Sequence, residues 1–173
     1  MNAVIGYVSA SDLRLSGRVR RWAPPRWFRV WMVGATRFGD GWGWFAIGTV
    51  LLSGSGSAHR TLAAGTLSTA LANAVLVYLK RRVRRQRPCE QGPHPLFRVK
   101  PPDDFSFPSG HATNAFAICT VVSIAFPFIA PVLAILAASV AASRVVLGLH
   151  YASDVLVGAL IGATCGLAAV QLL

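Results

Sequence analysis

The stretch Ser106–His111 contains the residues best suited to do chemistry. It reads Ser-Phe-Pro-Ser-Gly-His and is followed by an apolar run that opens at about Ala112. Ser109 and Gly110 are therefore expected at a helix N-terminus, where unpaired backbone N–H groups bind anions, phosphate above all. His111 would lie in the first helical turn, able to donate or accept a proton beside such an anion. The simpler alternative is a serine N-cap with a histidine after it.

Lys80 and Arg87 form a second cluster of polar residues. They are seven residues apart, which is close to two helical turns, so both side chains project from one side of a helix. An ammonium and a forked guanidinium on one face suit the oxygens of a phosphate. The alternative is a basic run that flanks the membrane. We expect that simpler role for the neighbouring arginines Arg81, Arg82, Arg84 and Arg85.

The third cluster comprises Ser143-Arg144, His150 and Asp154. An arginine in an apolar segment costs about 2.5–3.5 kcal/mol on insertion scales and usually has a task, although it can also snorkel to the surface. His150 and Asp154 are neighbours on a helix face at positions i and i+4. A carboxylate bound to one imidazole nitrogen leaves the other nitrogen free to attack or to accept a proton. The alternative is a polar helix start, with Asp154 stabilised by the dipole.

Together the three clusters resemble the three-part signature of the type 2 phosphatidic acid phosphatase family, which shares its helical core with the vanadium haloperoxidases. Every signature position is filled, in order and at the spacing of the family. The resemblance covers just under half of the chain, from Lys80 to Asp154. It rests on Lys80, Arg87-Pro88, Pro108-Ser109-Gly110-His111, Ser143-Arg144, His150 and Asp154.

The resemblance implies a lipid phosphatase that needs no metal and no cofactor and that forms a phosphohistidine. His150 would attack phosphorus, Asp154 would orient it, and His111 would protonate the leaving alkoxide and then activate water. The candidate substrates are phosphatidic acid, phosphatidylglycerol phosphate and polyprenyl phosphates or diphosphates. The implied phosphate ligands, which take the role of a metal ion, are Lys80, Arg87, Arg144, the Ser109 hydroxyl and the Gly110 amide.

Two other functions stay open. The same pocket could host a vanadate-dependent haloperoxidase, although those enzymes are soluble and larger. A lipid-phosphate-binding membrane protein without activity would be indicated by the loss of a histidine or of Asp154, and neither is lost. Four residues of the loop before Ser106 either tune substrate choice or are solvated: Cys89, His94, Asp103 and Asp104.

The elements that must position these clusters are membrane helices. Of the 173 residues 54% are hydrophobic and only 13% are charged, half the usual share for a soluble protein. Four apolar runs have 18 or 19 residues, close to the roughly 20 that cross a bilayer, and a shorter fifth run covers Gly41–Gly54. The sequence therefore predicts an all-α, polytopic helical bundle. The four long runs are Leu62–Leu79, Ala112–Ala130, Pro131–Leu149 and Val155–Leu173.

We expect one domain, residues 1–173, with a helical bundle over 41–173 and its catalytic core at 80–154. The basic segment 1–40 would lie at the membrane interface, with an amphipathic helix at Arg26–Arg37. Many members of the family have six crossings, the first of them before the interfacial helix. Because no uninterrupted apolar run of that length precedes residue 40, five crossings are predicted.

Alternating crossings place all three clusters on one membrane face. Of the 17 Lys and Arg residues, only Arg60 lies on the other face, which predicts an active site facing the cytoplasm from a bacterial inner membrane. Family members that act on envelope lipids often face outward, so the resemblance implies the opposite. The net charge of +11 suits loops beside anionic headgroups. The expected partners are thus a membrane lipid phosphate and the bilayer, and not nucleic acid.

Overall fold

The computed structural model describes residues 2–91 and 103–173. These residues form seven α-helices and two short 3₁₀ turns, Pro88–Gln91 and Pro127–Ile129, and no β-strand occurs among them. The predicted all-α class is therefore confirmed. The helices are α1 (Asn2–Arg21), α2 (Arg26–Gly39), α3 (Trp42–Ser53), α4 (Ser57–Val83), α5 (Gly110–Ala125), α6 (Ala130–Val146) and α7 (Ala152–Leu172).

Three helical segments are long and apolar enough to cross a membrane: Ser57–Glu90, Pro127–Val146 and Ala152–Leu172. Helices α3 and α5 are apolar but have only 12 and 16 residues. At 1.5 Å per residue they measure about 18 and 24 Å, less than the roughly 30 Å of a bilayer core. The chain is an integral membrane protein, and the number of five crossings stays a prediction.

The N-terminal segment is more ordered than the sequence suggested. Four arginines interrupt its apolar residues, yet α1 is a 20-residue helix that ends at Arg21, shortly before the helix-breaking Pro24-Pro25. Its Asp12 is buried, with 5% of its surface exposed, and its carboxylate contacts Ser153 at the start of α7. A segment expected only to lie at the interface thus also packs against the bundle.

The amphipathic helix predicted at Arg26–Arg37 is present as α2. One face carries exposed Trp27, Val30 and Trp31, whereas Met32 and Thr36 on the other face are buried against the bundle. Helix α2 packs mainly on α6. Its position at the membrane interface stays a prediction.

Helix α5 is the central helix of the bundle, and it packs most extensively on α7. Three glycines spaced by four residues, Gly158, Gly162 and Gly166, form a stripe on the α7 face that meets α5. A Cβ on Gly162 would lie 2.1 Å from the Thr113 carbonyl oxygen and 2.8 Å from the Ala117 nitrogen. The stripe therefore lets the two backbones approach more closely than any side chain would allow, as in other membrane helix pairs.

Gly162→Ala should destabilise the protein. The new methyl group would overlap the backbone of α5, which cannot move aside as a flexible side chain can, and overpacking of this kind costs about 1–3 kcal/mol. Gly65→Ala is the matched control, because a Cβ on Gly65 of α4 meets nothing within 4 Å. Thermal unfolding in detergent should show a lower midpoint for Gly162→Ala alone. Equal midpoints for the two variants would contradict this packing.

Candidate active site

The three predicted clusters converge on one cavity of about 490 Å³. Six predicted site residues line it: Lys80, Arg87, Gly110, His111, Arg144 and His150. Ser109 and Asp154 lie directly behind its wall, where the Ser109 N–H donates to the Asp154 carbonyl at 3.0 Å. The cavity is also lined by Asp103, whose role the sequence left open, and by residues that the sequence analysis did not select: Gly39, Asp40, Asn73, Leu76 and Asn114.

His150 sits in the tight connection between α6 and α7, with only 3% of its surface exposed. Its Nδ1 lies 2.6 Å from the carbonyl oxygen of Ser106, and its Nε2 lies 3.1 Å from Nη1 of Arg87. A carbonyl can only accept and a guanidinium can only donate, so Nδ1 carries the proton and Nε2 presents its lone pair. Burial and the charges of Arg87 and Arg144 lower the pKa of His150 to about 4 in spite of the nearby Asp154. The imidazole is therefore neutral at physiological pH.

Asp154 supports His150 less directly than the sequence predicted. Its Oδ2 lies 3.8 Å from Nδ1 of His150, beyond hydrogen-bond distance. Ser106 links the two instead, because its hydroxyl donates to Asp154 Oδ2 while its carbonyl accepts from His150. The backbone N–H of Tyr151 also donates to Oδ2, at 2.9 Å. The peptide of Ser106 thus fixes the imidazole tautomer, and the carboxylate holds Ser106.

Arg85 corrects the sequence analysis, which assigned it to a run of arginines at the membrane surface. Its guanidinium bridges two buried carboxylates, with Nη1 2.6 Å from Asp154 Oδ1 and Nη2 2.8 Å from Asp12 Oδ2. It also lies over the ring of Tyr151, 4.0 Å from the centroid. Arg81, by contrast, is exposed as expected. Arg85 therefore offsets part of the negative charge behind His150.

Lys80 and Arg87 are both buried, and both bind Asp103. The Lys80 ammonium lies 2.9 Å and the Arg87 Nη2 lies 2.6 Å from Asp103 Oδ1. Both side chains also donate to the Phe105 carbonyl, and Arg87 Nη1 donates to the Leu149 carbonyl. Burial raises the pKa of the Asp103 carboxyl, but the two cations outweigh it and bring the pKa below its usual value. A charged carboxylate thus occupies the donors that were predicted to bind phosphate.

Arg144 and Ser109 retain free hydrogen-bonding atoms. Only 1% of Arg144 is exposed, and its Nη1 donates to the Thr36 hydroxyl. Within the part of the chain that the structure describes, Arg144 Nε and Ser109 Oγ are buried without any hydrogen-bond partner. Leaving a buried polar group unpaired costs about 1–3 kcal/mol. An anion at the N-terminus of α5 would satisfy both atoms together with the first N–H groups of that helix.

His111 lies in the first turn of α5, as predicted, but it has a partner that the sequence did not reveal. Its Nε2 lies 2.7 Å from Oδ1 of Asp40, the residue that follows the last turn of α2. Asp40 is 71 positions away in the chain. Its only sequence signal is the local pattern Gly39-Asp40-Gly41, in which an acidic residue stands between two glycines.

The loop residues that were left open have different positions. Asp103 contacts the cationic groups as described, and Asp104 is exposed. Cys89 is half-buried and its thiol is free, and its backbone N–H donates to the Gly148 carbonyl oxygen at 3.1 Å. His94 lies outside the described residues.

Arg85→Gln should destabilise the protein by about 1–3 kcal/mol, because the buried carboxylates of Asp12 and Asp154 would lose their shared cation. Arg81→Gln removes an exposed arginine from the same basic run and should change stability by less than about 0.5 kcal/mol. Thermal unfolding of both variants in the same detergent compares them. If the two midpoints fall by the same amount, Arg85 has no special structural role.

Comparison with known proteins finds relatives that share one name, decaprenylphosphoryl-5-phosphoribose phosphatase. Over 98 residues the chain is 44% identical to the decaprenylphosphoryl-5-phosphoribose phosphatase of Mycobacterium tuberculosis, a match that covers 56% of this chain and 52% of that protein. It is 36% identical over 116 residues to the protein of the same name from Mycolicibacterium smegmatis, covering 67% of this chain and 62% of the relative. The aligned region thus spans between half and two thirds of the length of these relatives.

Two solved structures share the fold. The crystal structure of Aquifex aeolicus LpxE superposes with a TM-score of 0.78 at 27% identity, covering 92% of this chain and 94% of that one. The phosphatidylglycerolphosphate phosphatase of Bacillus subtilis, a transmembrane PAP2-type protein, gives a TM-score of 0.74 at 22% identity, covering 99% and 87%. The sequence itself matches the PAP2 superfamily over residues 61–173, which includes all eight predicted site residues. The chain therefore belongs to the PAP2 superfamily.

Proposed function

We propose that the protein is a membrane phosphatase that releases inorganic phosphate from a lipid phosphate through a phosphohistidine intermediate. The observation that carries this proposal is a neutral His150 imidazole in the same cavity as Arg144, whose buried Nε has no hydrogen-bond partner within the described residues. The similarly unpartnered Ser109 Oγ lies at the start of α5, next to the cavity-lining Gly110 and His111. Membership of the PAP2 superfamily and the names of the relatives support the same reaction class.

His150 is the proposed nucleophile. Its Nε2 accepts a hydrogen bond from Arg87 Nη1, which this lone pair must leave to bond to phosphorus, and its protonated Nδ1 is held by the Ser106 carbonyl. As Nε2 bonds to phosphorus, the ring becomes positively charged. The Ser106 carbonyl dipole and the Asp154 carboxylate behind it then stabilise that charge. The low pKa of His150 means that no proton has to leave Nε2 first.

Three cations supply the positive charge for phosphoryl transfer. Arg144, Lys80 and Arg87 surround the cavity, while the N-terminus of α5 adds backbone N–H groups. Because Lys80 and Arg87 already bind Asp103, the first contacts of an incoming phosphate are expected at Arg144 and Ser109. Such groups stabilise the transition state where charge builds on the non-bridging oxygens.

His111 completes the reaction as proton donor and acceptor. It gives a proton to the leaving alkoxide while the bond between phosphorus and that oxygen breaks. It then takes a proton from the water that attacks the phosphohistidine, which releases phosphate and restores His150. A general acid and base of this kind contributes about 10²–10⁴-fold in rate.

A lipid substrate is supported by the surroundings of the cavity. The cavity floor carries Asn73 and Asn114, whose amides bond across α4 and α5 at 3.0 Å. One turn further along α4, Thr69 borders an apolar groove of about 180 Å³ between α3, α4 and α5. The mainly apolar lining of this groove suits an acyl or isoprenoid chain. Because the relatives are named for a decaprenyl-linked phosphate, we propose a polyprenyl-linked phosphomonoester as the preferred substrate.

Phosphate release by the purified protein tests the proposal. A panel of phosphatidic acid, phosphatidylglycerol phosphate, polyprenyl phosphate, polyprenyl diphosphate and a polyprenyl-linked sugar phosphate should give the highest kcat/KM for a polyprenyl-linked monoester.

His150→Ala and His111→Ala should each lower kcat by at least about 10³-fold, because the nucleophile or the proton transfer is lost. Arg81→Gln serves as the control that keeps activity. Near-normal turnover by both histidine variants would refute the assignment, and no release from any lipid by the intact protein would favour a binding protein without activity.

Rapid acid or alkaline quenching should distinguish a covalent route from direct attack by water. The intact protein should give an acid-labile, alkali-stable phosphoenzyme, which His150→Ala should lack.

Activity should persist in excess EDTA, since protein cations take the charge-stabilising role, and vanadate should inhibit it. Complete loss of activity in EDTA, restored by a divalent metal, would contradict the proposed role of Lys80, Arg87 and Arg144.

A further inference from the structure

We propose that Asp40 is a positioning residue for His111, so that the cavity holds a second carboxylate–histidine pair on its leaving-group side. The observation is the 2.7 Å contact between Asp40 Oδ1 and His111 Nε2, both at the cavity wall. This inference rests on the proposed function, because it gives Asp40 a task within that reaction.

The turn that carries Asp40 is shaped to reach His111. A Cβ on Gly39 would lie 2.8 Å from Cδ2 of His111 and 2.9 Å from Cγ1 of Val140, so a glycine is needed for the end of α2 to come this close. Gly41 has φ +127°, in the region that favours glycine, and α3 begins directly after it. The two glycines therefore permit an approach and a sharp turn that together bring the Asp40 carboxylate to the ring.

Stability alone gives no reason for an acidic residue at this position. Asp40 caps the C-terminus of α2, where the negative end of the helix dipole disfavours a carboxylate. Its side chain is 42% exposed, and an ion pair of that exposure contributes little to folding. A carboxylate placed against the dipole and directed at an imidazole is better explained by what it does for that imidazole.

Asp40 would act on both proton transfers of His111. By accepting a hydrogen bond from Nε2–H, it fixes the ring orientation and leaves Nδ1 as the nitrogen that exchanges a proton. Within the described residues Nδ1 makes no hydrogen bond to the protein. Burial and the charge of Arg144 lower the pKa of His111 to about 4, and Asp40 acts in the opposite direction. The carboxylate thereby favours the imidazolium that gives its Nδ1 proton to the leaving oxygen, which keeps the electron pair of the broken bond. Water later returns a proton to Nδ1 as its oxygen bonds to phosphorus and the His150 nitrogen departs.

A comparison of leaving groups separates this role from a merely structural one. An alkyl phosphate such as short-chain phosphatidic acid needs protonation of its leaving alkoxide, whereas p-nitrophenyl phosphate leaves as a stable phenolate. The ratio kcat/KM includes only the steps up to departure of the leaving group. Asp40→Asn keeps the shape and an acceptor oxygen but removes the charge. We expect it to lower kcat/KM about 10- to 100-fold for the alkyl ester and less than about threefold for p-nitrophenyl phosphate.

Arg37→Gln is the matched control, since Arg37 is an exposed residue in the last turn of the same helix. It should leave both ratios unchanged. His111→Ala should show the pattern of Asp40→Asn with a larger loss for the alkyl ester. Retained turnover of p-nitrophenyl phosphate by Asp40→Asn also shows that the variant is folded.

The possible outcomes are distinct. Equal losses on the two esters, or no loss on either, would overturn the role of Asp40 while leaving the phosphatase assignment intact. If the unmodified protein hydrolysed neither ester and no lipid of the panel, the proposed function itself would fail. A selective loss on the alkyl ester in both Asp40→Asn and His111→Ala supports the pair.

Discussion

The close approach of α5 and α7 is the constraint on which the site depends. The glycine stripe leaves three successive turns of α7 without a side chain at this contact, and a Cβ on Gly158 would lie 2.6 Å from the Ser109 carbonyl oxygen. At the top of this contact, the Ser109 N–H reaches the Asp154 carbonyl. The N-terminus of α5 and the residues around His150 are thus joined by backbone, not by flexible side chains. The proposed reaction, in which a phosphorus atom lies between two histidines, needs that rigidity.

Around this contact, the protein balances a set of charges that a membrane protein could not otherwise bury. Arg87 and Arg144 are each 1% exposed, and Asp154 is fully buried. The charges are arranged in two layers. Lys80, Arg87 and Arg144 line the cavity, whereas Arg85 lies behind it with Asp12 and Asp154. The acidic groups that support His150 therefore have a cation of their own in Arg85, separate from the cavity cations that contact Asp103.

The sequence predicted the parts of the site that depend on local spacing. Lys80 with Arg87, Ser109 with His111, and Arg144 with His150 each lie close together in the chain. The prediction that Lys80 and Arg87 project from one side of a helix was wrong, because α4 ends at Val83, and His150 likewise lies before α7 and not on its face. The connections after α4 and α6, and not helix periodicity, bring Arg87 and His150 to the cavity. The supporting residues could not be found in this way. Asp40 meets His111 across 71 positions, and Asp12 meets Ser153 across 141. Such pairs are set by how α1 and α2 pack on the bundle, which hydropathy does not encode. Because four arginines interrupt the apolar residues of α1, the sequence did not predict this helix, which is stabilised by its contacts with the bundle.

Asp103 gives the cavity a counter-ion of its own. A carboxylate that belongs to the same chain competes at a high effective concentration with any anion that enters from water. Small soluble anions, including the orthophosphate that the proposed reaction generates, can displace the Asp103 carboxylate only through their electrostatic attraction to Lys80 and Arg87. A lipid phosphate brings the additional attraction of its chain and arrives in the plane of the membrane, where its local concentration is high. In the proposed reaction, the loop carboxylate would thereby favour membrane-borne anions over dissolved ones and would hasten the exit of orthophosphate.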